Sequence, residues 1–136
     1  MDLIPPSKCI VLKTQSKGWG VFAIEPIKEG EIIEECPVII VYDRNDTRLD
    51  LLADYRFNYP AGSGADDWQY QVLPAGFGCI YNHSDNNNAY WTNHPTKDLV
   101  FVYVAAKDIP QGAEVCTYYG PQNYWDSYGR DKVEKL

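Results

Sequence analysis

No two of the four cysteines, Cys9, Cys36, Cys79 and Cys116, lie close together in the 136-residue chain, so it has no CxxC and no zinc-finger spacing. Each falls in or beside an apolar, strand-like run, the usual setting of a reduced, buried thiol. The two histidines, His83 and His94, have no thiolate pair to join, so no metal site is expected. No apolar run approaches the length of a membrane-spanning helix. The opening residues, Met1-Asp2-Leu3-Ile4-Pro5-Pro6, lack both the basic flank and the apolar stretch of a secretory leader. The expectation is a soluble intracellular protein, nuclear or cytoplasmic, with no membrane partner.

Basic residues are also in the minority, 12 Lys plus Arg against 19 Asp plus Glu, for a net charge of −7. Such a surface repels phosphate backbones, which disfavours nucleic acid as a direct ligand. It attracts a basic peptide instead. The length fits one domain, residues 1–136, and a hydrophobic content of 45% suffices for one core.

What is present is mostly short strands with turn punctuation. Cys9 to Leu12 and Val21 to Ile24 read as two strands joined by a polar, glycine-containing loop. Glu31 to Glu35 and Val38 to Val41 follow, with Pro37 between them marking an edge, a bulge or a break, since proline cannot donate to a ladder. Trp68 to Leu73 alternates like a strand. Leu99 to Ala106 is a continuous apolar run, as expected of a strand buried on both faces. Residues 43–67 read as an insertion: Leu49, Leu51 and Leu52 suggest a short helix, and Asn58 to Gly64 a loop. The tail, 126–136, is charged and peripheral. One echo recurs: Ile27-Lys28-Glu29-Gly30 and Ile109-Pro110-Gln111-Gly112 each follow an alanine-containing strand and predict a turn with glycine at positive φ.

Three clusters could carry chemistry. Lys17-Gly18-Trp19-Gly20 has paired glycines that let a ligand approach the main chain, but no third glycine and no following helix pattern, so it is not a dinucleotide fingerprint. Tyr81-Asn82-His83-Ser84-Asp85-Asn86-Asn87-Asn88-Ala89 concentrates donors and acceptors in a run suited to an irregular turn. Glu114-Val115-Cys116-Thr117-Tyr118-Tyr119-Gly120, followed by Tyr124-Trp125, puts phenols at a strand end. Singly, each also suits an ordinary connection, a polar loop or core aromatics.

In this order, the three clusters resemble the SET-domain family, and the resemblance runs from about Ile10 to Trp125. It implies a mainly β fold of small, β-clip-like sheets with a C-terminal pseudoknot. It also implies a protein-lysine methyltransferase that uses S-adenosylmethionine and acts on a histone or another protein. By resemblance, Trp19 meets the cofactor's methionine end with its main chain, Gly18 and Gly20 leave room, and Lys17 holds the carboxylate. Asn82 binds the cofactor by its side chain and His83 by its main chain, so His83 is neither metal ligand nor general base. Asn88 braces the knot and Tyr119 is the catalytic tyrosine. Trp125 or Tyr124 packs on the adenine or the lysine channel, beside Tyr118. The family's Cys and Pro are Asp85 and Asn87 here, which implies a looser loop. The family's aromatic two residues before the catalytic tyrosine is Thr117, a position that tunes methyl number, and Trp91 or Tyr103 stands in as the aromatic wall. The acids Asp43, Asp46, Asp50, Asp66 and Asp67 would steer a basic peptide. The same resemblance admits an inactive scaffold module, and either a monomer or a homodimer.

Overall fold

The computed structural model describes residues 2–43, 57–64 and 66–119, and their regular structure is strand throughout. The strands are β1 (Cys9–Lys13), β2 (Trp19–Ala23), β3 (Ile32–Asp43), β4 (Phe57–Tyr59), β5 (Tyr70–Pro74), β6 (Asn82–His83), β7 (Ala89–Asn93), β8 (Val100–Ala105) and β9 (Glu114–Thr117). The mainly β expectation is met. The short helix in 43–67, Gly120, Tyr124, Trp125 and the expected C-terminal knot fall outside the described residues. Among the described residues, no helix is long and apolar enough to cross a membrane.

The chain divides into two compact units. Met1–Ser7, Ile32–Cys79 and Trp91–Tyr103 form the first; Lys8–Glu31, Ile80–Tyr90 and Val104–Leu136 form the second. One sheet has five strands in the order β4-β5-β3-β8-β7, and its first three strands belong wholly to the first unit. The other has four strands in the order β1-β2-β9-β6, all in the second unit.

In the first unit, β3 runs through Pro37 as one 12-residue strand instead of two. Proline survives there because the neighbouring bonds avoid its missing N–H: its carbonyl accepts from Ala75 N at 2.8 Å, and the Val38 N–H goes to Leu99 O. The irregularity lies further on, at a register shift between Ile40 and Tyr42. The strand carries two buried carboxylates, which are costly unless fully bonded. Glu35 accepts from Ile4 N, Lys97 Nζ and His94 Nε2, and Glu34 accepts from Phe77 N. Burial pushes the Glu35 carboxyl upward, but Lys97, the Ile4 amide and His94 outweigh it and hold it below the usual range. β8 is buried at every position, as its apolar run predicts. Asn58 and Tyr59, expected in a loop, extend the sheet as part of β4 because they pair with Gln71 and Tyr70.

In the second unit the two Ile-x-x-Gly turns meet each other. Ile27 and Ile109 exchange both N–H···O bonds, at 2.9 and 2.7 Å. Gly30 N donates to Ala105 O at 2.8 Å, and Gly112 N donates to Ala23 O at 2.7 Å. Ala105 N returns a bond to Glu31 O, and Ala23 N one to Ala113 O. Each copy of the echo therefore satisfies the backbone of the other, a local two-fold relation visible in the repeat itself. Ile27 and Ile109 are each 1% exposed, so the pair also closes part of the core.

Gly30 and Gly112 sit at φ +83° and +89° with open space where a side chain would be. Gly30→Ala and Gly112→Ala should each cost about 1–2 kcal/mol of purely conformational strain. Asn at either position should cost less, since it tolerates left-handed backbone. Urea unfolding midpoints of the four variants check both statements.

Candidate active site

The site grows from β6, which is only two residues long. Its ladder runs parallel to β9, pairing Asn82 with Cys116 and His83 with Thr117. Successive side chains of a strand point to opposite faces. Asn82 and His83 therefore serve two different constellations within the second unit.

On one face, Asn82 Nδ2 donates to Glu114 Oε2 at 2.7 Å and to Trp19 O at 3.0 Å. Both amide hydrogens are thus committed to the protein, and Asn82 keeps its carbonyl oxygen to offer as an acceptor. Gly20 lies directly beneath: a Cβ there would meet Glu114 Oε2 at 2.6 Å and Asn82 Nδ2 at 3.1 Å. The turn before it is tied by Thr14, whose N and Oγ1 both donate to Gly18 O and whose hydroxyl accepts from Lys17 N at 2.8 Å. Gly18 takes φ +74° to allow this. The turn leaves Trp19 61% exposed and carries Lys17 Nζ into a buried position with no hydrogen-bond partner among the described residues. The Lys17 charge reaches Cys116, whose thiol is pushed up to about 12 by burial first and the Glu114 charge second, with Lys17 opposing. A buried, unpaired ammonium is costly, and an anionic ligand would remove the cost.

On the other face, His83 is fully buried. Its Nδ1 accepts from the Tyr119 backbone N–H at 2.8 Å, and its Nε2 lies 2.7 Å from Asp85 Oδ1. A backbone N–H can only donate, so Nδ1 is unprotonated and Nε2 carries the hydrogen. The rings of Tyr118 and Tyr119 lie against the imidazole at 5.2 and 5.4 Å. Tyr119 Oη donates to Tyr81 O at 2.5 Å. Residues on either side of Asn82 thus hold Tyr119 at both ends.

The Asn-rich loop is tied rather than loose. Asn86 N donates to Ser84 Oγ, and Asn87 Nδ2 to Ala89 O. Asn88 donates from Nδ2 to Glu114 O and accepts at Oδ1 from Cys116 N, both at 2.8 Å, so its amide acts as one more peptide group along β9. Asp85 and Asn87 each bond locally, to His83 and to Ala89 O.

Lys17, Gly18, Trp19, Gly20, Asn82, His83, Thr117, Tyr118 and Tyr119 all belong to the second unit. Thr117 is buried at 1% exposure, and Tyr118 is 40% exposed. Trp91 and Tyr103 belong to the first unit, where their rings lie 6.3 Å apart and Phe57 meets Trp91 edge-on at 5.0 Å. Tyr103 Oη donates to Gly78 O inside that core. Sequence reading gave no role to Thr14, Glu114, Tyr81 or Asp85. Glu114 was visible as an acid opening an otherwise apolar strand; the Tyr81 contribution is a carbonyl and leaves no signal in the sequence.

The SET domain family model matches residues 18–120. The chain is 28% identical over 117 residues to the Schizosaccharomyces pombe histone-lysine N-methyltransferase, H3 lysine-37 specific, covering 83% of this chain and 74% of that protein. It is also similar to the crystal structure of a candidate histone methyltransferase of Plasmodium falciparum. There the TM-score is 0.66 and the identity 34%, over 83% of this chain and 93% of the other.

Gly20→Ala should displace the Glu114 carboxylate from Asn82 and cost roughly 1.5–3 kcal/mol, the range for a hydrogen bond to a charged group. Urea unfolding measures the loss, and the double variant Gly20→Ala/Glu114→Ala should lose clearly less than the sum of the two single changes.

Proposed function

The chain belongs to the SET-domain family, and from that premise we propose that it transfers a methyl group from S-adenosylmethionine to a lysine side chain of a basic, histone-like protein. The observation that carries this reading is the buried Lys17 Nζ left without a partner among the described residues, in the same unit as the Asn82–Glu114 pair, with Lys17 and Glu114 both acting on the Cys116 thiol. A cation awaiting an anion, in one unit with an amide carbonyl and a carboxylate that favour a cation, is the charge pattern of a site for a zwitterionic amino acid end. Gly20 supplies the clearance and Trp19 the exposed indole. These residues fit the methionine portion of the cofactor, with Lys17 on its carboxylate and Asn82 Oδ1 on its ammonium.

When bound, S-adenosylmethionine supplies a sulfonium-activated methyl group open to in-line attack by an amine. The protein has to deliver a neutral, aligned nitrogen. A free lysine has a pKa of about 10.4, so only roughly one amine in 2,500 is neutral at pH 7. Poorly solvated surroundings favour the neutral form. Tyr119 has its hydroxyl hydrogen committed to Tyr81 O, so its oxygen is held as an acceptor for the amine. With backbone and hydroxyl both fixed, Tyr119 acts by positioning, which can account for a large share of an acceleration. The net charge of −7 supports a basic substrate, as does the histone named for the fission-yeast relative.

The test is methyl transfer from labelled S-adenosylmethionine to core histones and to a cell lysate. Wild type should label a discrete band. Tyr119→Phe should retain cofactor affinity and lose about 100-fold or more in turnover. Lys17→Met should weaken cofactor binding by about ten- to a hundredfold, the value of a charge-assisted bond. Cofactor binding without transfer to any substrate would favour the scaffold reading, and no binding would refute the cofactor assignment.

A further inference from the structure

We infer that Asp85 is a positioning residue that, acting with the Tyr119 N–H itself, holds His83 in the Nε2–H tautomer and so steadies the catalytic-loop backbone at Tyr119. The inference deepens the methyltransferase reading and takes from it only the role of Tyr119. The geometry is a short relay: Asp85 Oδ1 to His83 Nε2 at 2.7 Å, then His83 Nδ1 to the Tyr119 N–H at 2.8 Å. An ionised carboxylate can only accept, so Asp85 requires the hydrogen on Nε2. That leaves Nδ1 with its lone pair aimed at an N–H.

The demand arises where the ladder ends. β6 stops at His83 and β9 at Thr117, with Ser84 N closing on Thr117 O. Two residues later the Tyr119 N–H takes its acceptor from a side chain instead of a strand. The imidazole has no exposed surface, whereas the Asp85 side chain keeps 29% of its own. Asp85 is therefore the accessible end of a buried relay. With a residue at position 85 that cannot accept, the Nε2 hydrogen loses this acceptor and the alternative Nδ1–H tautomer becomes accessible. That tautomer sets donor against donor at Tyr119 and pushes its backbone away. Tyr119 Oη would then shift relative to Tyr81 O.

The chain has two histidines, so imidazole nitrogen NMR resolves both, and a His94→Gln variant assigns them. Wild type should show His83 as the Nε2–H tautomer, with the Tyr119 amide proton shifted downfield by its nitrogen acceptor. Asp85→Asn keeps an acceptor oxygen and should preserve both signatures. Asp85→Ala should populate the Nδ1–H form and move the Tyr119 amide, and Asp85→Lys, which replaces acceptor by donor, should do so more completely. In methyl transfer, Asp85→Ala should lose about tenfold or more in kcat with little change in the cofactor KM, and Asp85→Asn should restore most of it. An Nδ1–H tautomer in wild type, or a Tyr119 amide unmoved in both Asp85→Ala and Asp85→Lys, would overturn the inference. These spectra are read without turnover, so a wild type that methylates nothing would contradict the functional reading alone.

Discussion

The parallel pairing of Asn82–His83 with Cys116–Thr117 is the interaction on which the rest of the site depends. A two-residue ladder is too short to hold itself, and a parallel one gains slightly less per residue than an antiparallel one. It persists because side chains extend it at both ends. Asn88 adds two bonds to β9 in the manner of a neighbouring strand, and His83 takes the Tyr119 N–H where the ladder runs out. Strand alternation then sends the Asn82 side chain toward Trp19 and Glu114, and the His83 side chain toward Tyr119. One short strand thereby brings together residues from three distant parts of the sequence.

Hydrogen-bond accounting separates the scaffold from the reactive part. Buried carboxylates are satisfied: Glu35 by an amide, a lysine and a histidine, Glu34 by an amide. The thiols are held inert, part-buried Cys79 pushed up to about 11 and buried Cys116 to about 12, by burial above all. Against this background the Lys17 ammonium stands out among the described residues as a buried group with its bonding left to something else. Its turn is built to keep it there, since Thr14 locks the backbone on both sides of it.

Much of this was legible in the sequence because it follows from local rules. The buried β8 reads directly from its apolar run, and the glycine turns from their Ile-x-x-Gly spacing. The three motif clusters supply the nine candidate site residues described in the second unit, since motif order carries that information. What did not read locally was pairing. That the two turns satisfy each other's backbones, that β3 continues through Pro37, and that Asn58–Tyr59 join a sheet all depend on partners distant in sequence. The same limit applies to Asp85. Together with Asn87 it suggested a looser loop, and only its contact with a buried imidazole gives it a task.

The most direct test of the central claim is backbone amide NMR of the full chain titrated with S-adenosylmethionine. The account predicts saturable shifts concentrated at Lys17 to Gly20, Asn82 to His83 and Glu114 to Tyr119, all in the second unit. Saturable binding that leaves those amides unmoved, or no binding at millimolar cofactor, would contradict it.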